Sequence, residues 1–91
     1  MRVHWSNKAL TQLANIVSEL DEYSPAAAER VGNELITASL RLDDFPQLGR
    51  MIPEGNYPEV RELFVSKYRL IYTVGDFTVE IISVVHQAQR R

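Results

Sequence analysis

Three cations stand in stretches that would build a sheet without them. Arg61, Arg69 and His86 fall within apolar, β-branched runs at Glu59 to Val65, Tyr68 to Val74 and Thr78 to His86. An arginine can hold the charge that develops on a phosphorane, and a histidine can transfer a proton, so the set contains the parts of a phosphodiester chemistry. The competing reading is plainer: cations solvated at a sheet surface, or Arg69 bridged to Glu80. From composition alone the plainer reading prevails. His4, near the other end of the chain, reads as a surface residue of an edge strand. No Gly-rich phosphate loop, G-x-S-x-G elbow or metal-spaced His/Asp/Glu cluster is present, so no metal and no cofactor is expected.

The elements that position these residues must fit in 91 residues, enough for one compact domain spanning 1–91. With 45% hydrophobic and 24% charged residues, the chain has enough apolar surface to offset its conformational entropy. It has no cysteine, which removes disulfides, thiolate chemistry and Cys-based zinc sites. Neither a signal-peptide core nor an apolar run near the ~20 residues of a membrane helix occurs, so a cytoplasmic protein without a membrane partner is expected. The net charge is −2, unevenly spread: the first 44 residues hold four Lys/Arg and seven Asp/Glu, the remainder six and five. That balance is not the basic one of a protein that grips many phosphates.

Arg2 to Trp5 alternates as a short strand, and Ser6 caps a helix over Asn7 to Glu22 with a stripe at Leu10, Leu13, Val17 and Leu20. Ser24-Pro25 starts a second helix, carried by Val31, Leu35, Ala38 and Leu42 to about Asp43 or Asp44. So short a connection makes the pair an antiparallel hairpin. Phe45 to Pro58 holds Pro46, Gly49, Pro53, Gly55 and Pro58 and reads as a loop. Three strands follow. The predicted fold is α+β, β-α-α-β-β-β, a helical hairpin on a mainly antiparallel four-stranded sheet.

Turn phase decides which residues face together. A two-residue turn at Gly75-Asp76 sets Val74 opposite Phe77 and Arg69 opposite Ile82. Tyr68, Leu70, Tyr72, Val74, Val79, Ile81, Ser83 and Val85 then face the helices. Arg69, Ile71, Thr73, Thr78, Glu80, Ile82, Val84 and His86 share an open face. Charge favours an odd-length turn at Val65-Ser66-Lys67, which adds Arg61 and Leu63 to the open face and leaves Glu62 on the inner one. A two-residue turn at Ser66-Lys67 puts Arg61 beside Tyr72 instead. Ile71, Ile82 and Val84, apolar and uncovered in this phase, mark an interface.

The order of elements, together with Leu48-Gly49-Arg50-Met51-Ile52-Pro53-Glu54, Val60-Arg61-Glu62-Leu63, Tyr68-Arg69-Leu70-Ile71-Tyr72 and Val84-Val85-His86-Gln87-Ala88, resembles the RelE/ParE toxin superfamily across nearly the whole chain. The resemblance implies the growth-inhibiting toxin of a type II toxin-antitoxin module, of the kind associated with plasmid stabilization. It also implies a cognate antitoxin, a hetero-oligomer with it, and Ile71, Ile82 and Val84 as antitoxin contacts. RelE-like members cleave mRNA on the ribosome with strand-borne cations and a C-terminal Tyr or His; ParE-like members poison DNA gyrase. Arg61 and Arg69 match basic positions of the first group, and His86 matches the Val-x-His ending of the second. Leu63 and Gln87 stand where RelE itself has basic residues, and no tyrosine follows His86. The expectation is therefore a ParE-like gyrase poison. The alternative is a ribosome-dependent mRNA endoribonuclease with Arg61, Arg69 and His86 as its catalytic residues.

Overall fold

Two serines begin the two helices of the computed structural model, which describes residues 1–53 and 57–88. Ser6 Oγ accepts from the Ala9 N–H at 3.1 Å and opens α1 (Asn7–Tyr23). Ser24 Oγ accepts from Ala27 N–H at 3.1 Å and opens α2 (Pro25–Arg41), whose first position is the expected proline. α2 therefore ends slightly before the predicted Asp43. Its stripe buries Ala28, Val31, Leu35 and Ser39, and Trp5 Nε1 donates to Ser39 Oγ at 3.2 Å, which ties the first strand to the end of α2.

The strands are β1 (Arg2–Trp5), β2 (Arg50–Met51), β3 (Val60–Val65), β4 (Tyr68–Val74) and β5 (Thr78–His86). They form one five-stranded sheet in the order β1-β5-β4-β3-β2, with β1 parallel to β5 and the other pairs antiparallel. The α+β hairpin-on-sheet class is as expected. The four-stranded count is corrected to five, because Arg50 and Met51 leave the loop to pair with Glu62 and Arg61. Of the expected Phe45 to Pro58 loop, Glu54, Gly55 and Asn56 lie outside the described residues.

Two registers differ from the expectation. β3 and β4 meet through the two-residue Ser66-Lys67 turn, Val65 opposite Tyr68, with Ser66 at φ 56°. Arg61 thus lies opposite Tyr72, and Leu63 opposite Leu70, on the helix face; Glu62 moves to the other. Charge was the wrong guide here, since the apolar Leu63 and Val65 take the helix side. Between β4 and β5 the turn also shifts, Val74 pairing with Val79, which preserves the expected faces. A β-bulge then intervenes: Tyr72 pairs with Ile81 but Ile71 with Ser83, so Ile82 is the extra residue and every side chain from Ser83 to His86 changes face.

The cause of the bulge lies on α1. β1 ends at Trp5, Ser6 N–H donates to the Ile81 carbonyl at 2.9 Å, and α1 departs across the strand edge. Past that point β5 has no strand on this side, and Gln12 Oε1 accepts from Val84 N–H at 2.8 Å in its place. The flip puts Val84 into the core with Leu35, Leu42, Leu70, Tyr72, Val79 and Ile81.

Candidate functional site

Arg61 and Tyr72, opposite one another on the helix face, hold the loop that precedes β2. Arg61 Nη1 donates to the Gly49 carbonyl at 2.8 Å, while the Tyr72 hydroxyl accepts from Gly49 N–H at 2.8 Å and donates to the Pro46 carbonyl at 2.9 Å. Arg61 is engaged in building the fold. Burial pushes the Tyr72 phenol above its ordinary 10.0, opposed by the Gly49 hydrogen bond and the Arg61 charge. The folded protein thus keeps a proton that the unfolded chain releases near pH 10, so this stabilisation is complete below pH 10 and is lost as pH rises through the folded-state value. Alkaline titration followed by circular dichroism should show stability falling above pH 10, and Tyr72→Phe should remove Tyr72's share of the fall. At neutral pH the same variant should cost about 2 kcal/mol in urea unfolding, because Gly49 N–H and Pro46 C=O lose their partner.

Arg69 occupies the opposite face, paired across to Val85. It does not bridge to Glu80, as one expectation had it. Its Nη1 is 3.5 Å from Glu62 Oε1, and Arg50 Nε is 2.8 Å from Glu62 Oε2. The side chain of Glu62 is 0% exposed and that of Arg69 6%, while Arg50 stays 54% exposed. The Arg50 guanidinium also lies 5.0 Å from the centroid of the Phe64 ring. A carboxylate between two guanidiniums is therefore the main polar feature of this face, with an arginine and an aromatic ring at its rim.

His86, opposite Tyr68, falls on the helix side of the sheet because of the bulge. The two rings meet edge to face, centroids 5.6 Å apart at 74°. Nδ1 accepts from Ala88 N–H at 3.2 Å, a geometry that in the neutral ring puts the proton on Nε2. His86 lines a groove of about 360 Å³ with Gln12, Asn15, Glu19 and Tyr68. The expected open face shared by Arg69 and His86 does not form. The uncovered apolar set changes with it: Val84 is 2% exposed and turned to the helices, Ile71 is 8% exposed, and Ile82 at the bulge keeps partial exposure.

Magnitudes decide what these cations can share. Arg61 and His86 flank β4 on opposite sides, opposite Tyr72 and Tyr68. That offset is about 13 Å along the strand and about 10 Å across it, beyond what one phosphate can bridge. Arg69 is separated from both by the sheet itself. Among the described residues, no group of three or more His, Asp or Glu is placed to hold a metal ion. Sequence reasoning passed over Arg50 and Phe64, and noted Glu62 without giving it a partner. The available signal was Glu62 itself, since a carboxylate within an apolar strand needs a buried cation partner.

The comparisons with known proteins agree with this architecture. The family model described as ParE toxin of type II toxin-antitoxin system, parDE, matches residues 3–91. The chain is similar to Toxin RelE2 of Caulobacter vibrioides, 34% identical over 89 residues that cover 97% of each protein. It is also similar to Putative toxin Y4kP of Sinorhizobium fredii, 32% identical over 91 residues, 98% of this chain and 91% of that one. Among solved structures, the chromosomal ParDE TA system from P. aeruginosa superposes with a TM-score of 0.80, covering 94% of this chain and 95% of that one. At 19% identity that likeness speaks for the fold.

Proposed function

We propose that this chain, which belongs to the ParE toxin family of type II toxin-antitoxin systems, arrests growth by acting on DNA gyrase and is neutralised by a cognate antitoxin. The observation that carries the choice of target is the dispersal of Arg61, Arg69 and His86. Arg61 holds the Gly49 carbonyl, Arg69 faces Glu62 on the other side of the sheet, and His86 sits against Tyr68. A nuclease needs charge stabilisation and proton transfer within hydrogen-bond reach of one phosphate. A protein that poisons another protein needs only a folded surface. The net charge of −2 favours the same reading, because ribosomal RNA is gripped through many cations. Acting on gyrase, the protein would work in the cytoplasm; among the described residues no helix is long and apolar enough to cross a membrane.

The second reading, an mRNA endoribonuclease using Arg61, Arg69 and His86, draws on the name Toxin RelE2 borne by the Caulobacter relative. One paired assay separates the two. Purified toxin should block supercoiling by gyrase or accumulate its cleavage complex, and should leave mRNA on a translating ribosome intact. Codon-phased cuts lost in Arg69→Ala and His86→Ala, with gyrase unaffected, would reverse the assignment. Expression without antitoxin should stop growth; healthy cells containing folded protein would remove the toxin reading altogether.

A further inference from the structure

A surface arginine ordinarily samples many rotamers and loses that freedom when a partner binds. Arg50 is already held. Its Nε is 2.8 Å from the fully buried Glu62 carboxylate, and its guanidinium lies 5.0 Å from the Phe64 centroid. Glu62 is steadied in turn by Arg69 at 3.5 Å. These contacts fix the plane of the guanidinium and use its inner edge, while no described residue accepts from the terminal Nη nitrogens. The head remains 54% exposed, and Phe64 beside it 48%. Both stand at the rim of the sheet, where β2 is the last strand and only Arg50 and Met51 long.

We infer that Arg50 and Phe64 form a pre-organised anchor for an Asp or Glu side chain of the antitoxin, whose neighbouring apolar atoms pack on the Phe64 ring. The exposed end of this cluster is the Arg50 guanidinium, whose charge is complementary to a carboxylate. A fixed arginine next to a half-exposed aromatic ring also has the composition of an interface hot spot. The acidic net charge argues against nucleic acid as the occupant, and the family provides a protein partner. The inference rests on the antitoxin reading above.

The test uses the full chain and the antitoxin encoded beside it, with affinities from calorimetry. Arg50→Lys keeps a cation for Glu62 but loses the planar fork, and should weaken antitoxin binding about 10-fold. Alanine replacement of each antitoxin Asp and Glu should find one whose loss weakens wild-type binding yet adds little to Arg50→Lys. Phe64→Leu, which leaves the Arg50–Glu62 pair in place, should cost about 3-fold or more and serves if the lysine variant does not fold. Unchanged affinity in a folded variant would overturn the anchor, as would additivity at every antitoxin carboxylate. So would an Arg50 effect seen only on a DNA or RNA oligonucleotide. Failure of the wild-type chain to bind the antitoxin at all would instead sink the antitoxin reading, and the anchor with it.

Discussion

Replacing Glu62 with alanine is expected to destabilise the protein by about 3–5 kcal/mol, read as a lower urea midpoint at unchanged slope. The reason is the burial of its partner. Arg69 is 6% exposed, and removing the carboxylate 3.5 Å from Nη1 takes away a negative charge that offsets its desolvation. Arg50 contributes less to this cost because its head reaches water and is screened there. Glu62→Gln, which keeps the shape and one acceptor, should fall between wild type and Glu62→Ala. The double variant Glu62→Leu, Arg69→Met should lose less than Glu62→Ala alone, since it removes the buried charge as well as its counterion. A loss below about 1 kcal/mol for Glu62→Ala would mean that the cluster does not hold this face. The same variant should weaken antitoxin binding in any molecules that still fold, because Arg50 would no longer be fixed.

Gly49→Ala is expected to cost about 3 kcal/mol, by overpacking rather than by backbone conformation. A Cβ at this position would lie 2.6 Å from the Glu62 carbonyl, 2.7 Å from the Tyr72 hydroxyl and 2.8 Å from Tyr72 Cε1. Neither neighbour yields easily: one is strand backbone and the other a fully buried ring. Relief must come from the loop, which breaks the hydrogen bonds that Arg61 and Tyr72 make to Gly49 and displaces the adjacent Arg50. Gly75→Ala makes the control. Its Cβ would meet Thr78 O at an ordinary 3.4 Å, and stability should stay within about 0.5 kcal/mol of wild type. Equal losses at Gly49 and Gly75 in thermal or urea unfolding would refute the close-approach explanation.

Some features of this molecule are local and could be read before the chain was folded. Ser6, and Ser24 with Pro25, specify helix starts because a serine side chain accepts the first orphan N–H groups and proline fits the first turn. Hydrophobic period located both helices, although α1 turns Ala9, Leu13, Ile16 and Leu20 to the core and leaves the expected Leu10 48% exposed, and the order of elements was sufficient for the family resemblance that the family model bears out. The site was legible only in its residue types. Arg61 and Arg69 were singled out correctly as unusual in strands, and Glu62 was noticed but assigned to the wrong face.

Facing was decided by tertiary structure, because side chains alternate with a period of two and one extra residue reverses everything beyond it. The extra residue is Ile82, and nothing around it in the chain distinguishes it from its neighbours. It is selected where β1 ends and Gln12, 72 positions before Val84, accepts the N–H that no strand is there to take. Likewise the Ser66-Lys67 turn prevails because it delivers Leu63 and Val65 to the helices, and Arg61 follows them to Tyr72. The sequence by itself determined both helices, every strand but β2, and their order, through caps and periodicity acting within a few residues. Only the packed sheet decided that the three cations would be parted and that Arg50, Glu62 and Arg69 would meet, since that depends on registers set by contacts far apart in the chain.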